Sequence, residues 1–303
     1  MIHAHDTGRG IGFAVLAFAL FSASDGFVKW FAAAGYPVVQ ISSTFALFAL
    51  LPVAWLVARA GGLSSLRARR PVWVAARALL LAGDTVCAYY AFGALPLAEA
   101  YAIFFGTPML VTALSVPFLG EKVGWRRWVA VVIGFLGVLI VLRPGFAELG
   151  AGHAAAIAAA VLFTLSLLVL RRIGNEETSA AMISWVLLAL FLTTAPLVPA
   201  VFVAPALLDL LLMALGGLLL GLAQIALVEA FRAAPASVVA PFHYSQMIWA
   251  ILLGLAVFDE LPDLWVAAGS LVIVGSGLFI LWRERRVSRA RRAPQRGRIP
   301  DRL

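Results

Sequence analysis

The sequence predicts an all-α integral membrane protein of ten transmembrane helices, built as two inverted five-helix repeats with both termini cytoplasmic. Three observations carry this expectation. First, 63% of the 303 residues are hydrophobic and only 13% are charged, against roughly 25% charged in a soluble domain. No soluble fold could hide so much apolar surface, whereas lipid tails are as apolar as leucine. Second, a ten-span topology places all but two of the 23 basic residues on one side. Third, a register of 139 residues relates the two halves.

A spanning helix needs roughly 20 mainly apolar residues, given a hydrocarbon core of about 30 Å and a rise of about 1.5 Å per residue. The polar start Met1–Arg9 leads into an apolar run too long for the core of a signal peptide, so 10–31 is expected as a retained first span. The second, 37–58, ends before the charged break Gly61–Arg70, and the third, 71–93, stops at Leu95–Pro96. Spans 97–119 and 125–142 are parted by Gly120–Gly124, and Arg143–Gly150 closes the first half. Spans 152–171, 178–200 and 207–231 follow, with Arg171–Thr178 as a charged break, and Asp259–Asp263 divides 235–258 from 263–282. The seams at Pro96 and Pro235 carry no charge run and are read from a proline at a helix start. The corresponding units are 1–148, 149–283 and a basic tail, 284–303.

Charge settles the orientation. With the termini and loops 59–70, 120–127, 171–178 and 232–235 on one side, only Lys29 and Arg143 fall on the other. Cytoplasmic loops hold the excess of Lys and Arg, so both termini face the cytoplasm and the protein belongs in a cell inner membrane. The arginine-rich tail directly follows a span, which favours an anchor on anionic lipid over nucleic-acid binding.

Internal similarity supports the same count. Ala91–Pro96 recurs as Ala230–Pro235, and the same offset carries Leu114 onto Leu253 and Glu121 onto Glu260. Five spans per half is an odd number, so the halves enter the membrane from opposite sides. Inverted repeats of this kind are the architecture of secondary transporters, with the substrate site near the midplane between them.

These residues resemble the EamA-type members of the drug/metabolite transporter superfamily. The resemblance rests on the repeat, on acidic closures at Gly120-Glu121 and Asp259-Glu260, and on glycine-punctuated fifth and tenth spans (Gly134, Gly137; Gly269, Gly275, Gly277). Asp259 departs from the pattern by standing where the first half has Gly120. Within the superfamily the chain looks most similar to bacterial exporters of aromatic and other neutral amino acids. The resemblance implies a central cavity lined by spans 1, 3, 4, 6, 8 and 9, with spans 5 and 10 peripheral.

Polar side chains inside a membrane are costly and are functional candidates by default. Asp84 falls near the middle of span 3, either as a hydrogen-bonded structural carboxyl or as a group that binds a substrate amine or couples a proton. Asp25 and Lys29 stand at i and i+4 on span 1, where they can form a structural pair near the outer interface or serve in gating or substrate contact. Glu99 and Glu229 lie close to span ends, where solvation is cheap. Phe104-Phe105-Gly106-Thr107 in span 4 matches His243-Tyr244-Ser245-Gln246 in span 9, with Pro108 and Pro241 beside them. A proline breaks the helical ladder, and breaks at matched depth point to a transporter site. The candidate pathway is therefore Asp84, Tyr101, Phe104, Phe105, Thr107, His243, Tyr244, Gln246 and Trp185. Tyr89, Tyr90 and Tyr101 are expected near the outer end, as interfacial aromatics or a gate. Gly217 with Gly221, and Ala130 with Gly134, are small-residue pairs for close helix packing.

Other functions fit less well. Serine-protease and metal-ligand spacings are missing, and Asp84 has no second mid-membrane aspartate for an aspartyl protease unless Asp25 lies deeper than the outer interface where its position places it. A sustained polar stripe for a channel and a phosphate-binding loop for an ATP-driven pump are likewise missing. The single cysteine, Cys87, allows no intramolecular disulfide. The expectation is an exporter of small neutral or amphipathic metabolites, aromatic or hydrophobic amino acids foremost, working by alternating access without a cofactor or metal. A multidrug or organic-cation exporter is the alternative.

Overall fold

A computed structural model describes residues 7–120, 124–145, 148–173, 176–234 and 236–292. Glu121, Lys122, Pro235 and the last eleven residues of the tail lie outside the described residues. Regular structure among the described residues is helical: α1 (Thr7–Ala33), α2 (Val38–Arg59), α3 (Pro71–Ala94), α4 (Leu97–Phe104), α5 (Thr107–Leu119), α6 (Trp125–Leu142), α7 (Ala151–Ile173), α8 (Ser179–Thr194), α9 (Val198–Val201), α10 (Leu207–Ala233), α11 (Ala236–Val239), α12 (Gln246–Phe258) and α13 (Leu264–Arg292). Short 3₁₀ turns cover Gly62–Leu66, Ala195–Leu197 and Ala240–Ser245.

Eight helical stretches are long and apolar enough to cross a bilayer, and two shorter apolar helices, Trp128–Leu142 and Leu264–Ile280, bring the number of apolar segments to ten. The fourth span is α4 followed by α5. The ninth is the 3₁₀ turn Ala240–Ser245 followed by α12. α13 continues beyond the expected span end at 282 as far as Arg292. Arginine is a good helix former, and the next breaker is Pro294, which also disfavours helix at the residue before it.

The 139-residue register reappears in the backbone. Leu95 and Ala234 both end their helices in extended conformation (φ −126°, ψ 158° and φ −140°, ψ 153°). α5 and α12 begin at Thr107 and Gln246, and α6 and α13 at Trp125 and Leu264. Gly120 and Asp259 both close their helices in the left-handed region, at φ 67° and φ 54°. Asp259 therefore keeps the turn that Gly120 makes, since aspartate tolerates this conformation at some cost.

Packing partners follow the same exchange of halves. α1 packs on α10 as α3 packs on α7, α2 on α10 as α8 on α3, and α4 and α5 on α7 as the 240–245 turn and α12 on α1. α2 with α8, α6 with α13, and α4 with α12 cross between the halves. Glycines allow the closest approaches. A Cβ on Gly269 would lie 2.8 Å from the Gly137 carbonyl oxygen, and one on Gly217 would lie 2.7 Å from that of Phe45. These are backbone contacts of the small-residue type common between membrane helices.

Loops clamp the halves at both faces. On the outer face Tyr36 donates to the Asp209 carboxylate at 2.7 Å, and Gln40 exchanges two hydrogen bonds with the Val203 backbone at 2.7 and 3.0 Å. The neighbouring carboxylate holds the Tyr36 phenol above its ordinary range. On the cytoplasmic face Arg70 pairs with Glu176 at 2.6 Å, and Thr178 donates to the Ser65 carbonyl at 2.7 Å.

Candidate functional site

Three spans converge on one hydroxyl. Tyr101, on α4, donates to the Asp25 carboxylate on α1 and accepts from the Gln246 amide on α12 at 3.4 Å. All three side chains are buried. The chain Gln246–Tyr101–Asp25 thus joins the two halves through a single oxygen. Local sequence explains the placement. The fourth span stops at Phe104 and resumes at Thr107, with Pro108 in the first turn of α5, while Pro241 holds the ninth span in 3₁₀ form until Gln246. Tyr101 sits one turn before the first break and Gln246 at the restart after the second.

Aromatic rings enclose this chain. Phe92, Phe104 and Phe105 surround Tyr101 with centroids 5.3, 6.2 and 6.1 Å away. His243 contacts Phe18 and Phe105 at 5.3 and 5.4 Å, and Phe105 meets Tyr244 edge-on at 5.1 Å. Edge and tilted contacts of this kind suit the ring quadrupoles. The Ser245 hydroxyl, at the break itself, is buried with no hydrogen-bond partner. Asp84 is half-buried on α3, which packs on α1, the helix that carries Asp25. An acid with a phenol, an amide and a wall of rings can hold a cationic or amine-bearing organic solute by charge and by ring-face contact.

Three of the candidate residues also have partners outside the polar chain. Thr107 donates to the Phe104 carbonyl at 2.6 Å, capping the break rather than presenting its hydroxyl. Tyr244 lodges against Gly277 of α13, where a Cβ would collide with its hydroxyl. Trp185 stands apart from the cluster: it is 40% exposed near the cytoplasmic end of α8, and its indole N–H donates to the Leu66 carbonyl at 3.0 Å. An amphipathic ring with a backbone partner at that level is an interfacial anchor. Tyr90 is also exposed, while Tyr89 is buried edge-on against Phe45 at 6.0 Å.

The i, i+4 pair does not form. Asp25 is taken by Tyr101, whereas Lys29 binds Glu260 at 2.9 Å and the Leu95 carbonyl at 2.7 Å. Asp25 therefore joins the buried polar chain of the candidate site and not a pair with Lys29; the alternative of substrate contact and its distance from the span end were the sequence signals available for it. Glu99 binds His153 at 3.0 Å and Glu229 binds Arg232 at 2.9 Å, both near span ends. No cluster of metal-ligating side chains occurs among the described residues.

Helices broken at matched depth, a buried polar chain at their junction and ion-paired outer ends define a polytopic membrane transport protein. The chain belongs to the EamA-like transporter family, within the drug/metabolite transporter superfamily, and residues 8–143 match that family directly. It is 31% identical over 230 residues to a riboflavin transporter of Rhizobium johnstonii, covering 75% of this chain and 76% of that one. It is 25% identical over 279 residues to an S-adenosylmethionine uptake transporter of Rickettsia bellii, covering 91% and 94%. It is also 28% identical over 268 residues to the pseudopaline exporter CntI of Pseudomonas aeruginosa, covering 88% and 93%. One solved crystal structure shares the fold, with a TM-score of 0.63 at 20% identity over 92% of this chain and 99% of that one. The protein is a multi-pass protein of the inner membrane.

Proposed function

We propose that this protein is a secondary transporter that carries small neutral or amphipathic metabolites outward, aromatic or hydrophobic amino acids foremost, by alternating access about the Asp25–Tyr101–Gln246 site. The observation that carries the reading is the hydrogen-bonded chain from Gln246 through Tyr101 to Asp25, which links the two halves at their matched breaks. A solute whose amine takes the Asp25 carboxylate displaces the phenol and loosens that link, so occupancy and rearrangement are coupled. Ring faces of Phe92, Phe104 and Phe105 supply the apolar wall. The units 1–148 and 149–283 are proposed as the two bodies that rock, and the basic tail as an anchor on anionic lipid.

A second reading has its own support. Asp25 and Asp84 lie on the packed helices α1 and α3, and no described basic side chain pairs with either, which suits organic cations. None of the relatives named above is an amino-acid exporter; their named solutes are S-adenosylmethionine, riboflavin and pseudopaline. The deciding experiment is flux in proteoliposomes for a panel of aromatic and aliphatic amino acids, S-adenosylmethionine, riboflavin and a lipophilic cation, with and without a proton gradient. Asp25 and Asp84 are the groups proposed to carry an exchanged proton. Movement of amino acids supports the first reading, movement of the cation alone supports the second, and movement of no panel member overturns both.

A further inference from the structure

Lys29 is a buried ammonium near the outer end of α1, held by groups from two other connections. Glu260 lies at 2.9 Å and the Leu95 carbonyl at 2.7 Å, while the Phe258 ring lies under the ammonium at 5.3 Å. Leu95 belongs to the seam between the third and fourth spans, and Glu260 to the turn between the ninth and tenth. One cation thus draws the outer end of the first half onto that of the second.

The backbone aims Glu260 at this position. Asp259 reverses the chain in the left-handed region, and the Glu260 N–H donates to the Gly254 carbonyl at 2.9 Å. A Cβ on Gly254 would lie 3.0 Å from the Glu260 carbonyl oxygen, so glycine there lets the turn fold back. Close by, Gly93 of α3 packs against Ala32 of α1 with no room for a Cβ. Through Lys29 the outer ends of the two halves are held together in this structure.

Asp25 stands one helical turn below Lys29 on the same face, and that spacing permits a pair. A buried ammonium left without a counter-charge is strongly unfavourable. A motion that carries Glu260 away from α1 takes the counter-charge from Lys29, and Asp25, one turn along α1, is a carboxylate that its flexible stem can turn to.

We propose that Lys29 is a two-position latch. With the outer end closed it holds Glu260 and the Leu95 carbonyl; with the outer end open it turns to Asp25 and competes there with the solute's amine. The latch thereby expels a cationic or amine-bearing solute on the outer side. This last step rests on the solute site proposed above; the closing role does not.

The test uses full-length protein in nanodiscs, with the native cysteine removed by Cys87→Ser and spin labels carried by Ala34→Cys and Leu261→Cys, at exposed outer positions on either side of the latch. Distances are read by double electron–electron resonance. Lys29→Met and Glu260→Gln each lose most of the short-distance population, and Lys29→Arg retains it. Asp25→Asn keeps the short distance and loses any longer one. Arg143→Gln, which breaks the Arg143–Asp263 pair of the peripheral spans (2.7 Å), leaves the distribution unchanged. Unaltered distances in Glu260→Gln, whose residue lies on a surface turn, would overturn the latch even if Lys29→Met does not fold. Opening in Asp25→Asn would remove its second position. If the distances behave as expected while no panel solute moves, the latch stands and the solute reading falls.

Discussion

Tyr101→Phe deletes one oxygen and keeps the ring, so packing against Phe92, Phe104 and Phe105 survives and the effect isolates the hydroxyl. That hydroxyl donates to a buried carboxylate, and a hydrogen bond to a charged group contributes about 1.5–3 kcal/mol. Without it Asp25 keeps no described hydrogen-bond donor, which places the loss near the top of that range. The Gln246 bond, at 3.4 Å, is long, and Gln246→Ala should cost about 1 kcal/mol. Both effects pass through one oxygen, so they cannot add: the double variant should fall short of the sum by about 0.5–1 kcal/mol, within the usual range for contacting residues. The cycle is measured by reversible unfolding of the four proteins in mixed micelles. Solute flux adds an independent reading, with KM for an amine-bearing substrate raised about tenfold for each ~1.4 kcal/mol of binding lost. Additivity within about 0.3–0.5 kcal/mol, or wild-type stability in Tyr101→Phe, would refute the idea that one phenol joins the two halves.

Three further outcomes follow from the same geometry. His243→Ala, which removes the ring seated between Phe18 and Phe105, should lower flux several-fold while the protein remains monodisperse on size exclusion. Trp185→Phe should leave flux at the wild-type rate, because its indole anchors the Leu66 loop and is remote from the polar chain; a large loss would return it to the pathway. Gly269→Leu should destabilise by at least about 1–3 kcal/mol, since it forces α6 and α13 apart at their backbone contact, and a thermal melt in detergent reads the shift directly.

Much of the architecture is legible in the residues because the bilayer imposes it. Run lengths, proline seams and the segregation of basic residues report span number and orientation without any knowledge of packing. Pro108 and Pro241 likewise announce breaks in the fourth and ninth spans, since loss of an N–H donor is a local event. The 139-residue register could be read from a few identities, and it reappears in the matched turns at Gly120 and Asp259.

Partner choice was decided elsewhere. Spacing along α1 allowed Asp25 to pair with Lys29, yet each found a stronger partner far away in the chain: Tyr101 for the acid, Glu260 and the Leu95 carbonyl for the base. Helical periodicity tells which residues share a face, while the neighbour across that face depends on how the helices are arranged. The same reason gives the Trp185 indole the Leu66 carbonyl and the Thr107 hydroxyl the Phe104 carbonyl as partners. By itself the sequence determined a ten-span inverted protein with broken fourth and ninth spans, because lipid and proline act locally. Only the tertiary structure decided that Asp25 pairs with Tyr101, because burial of a charge is resolved by whichever distant group the fold brings to it.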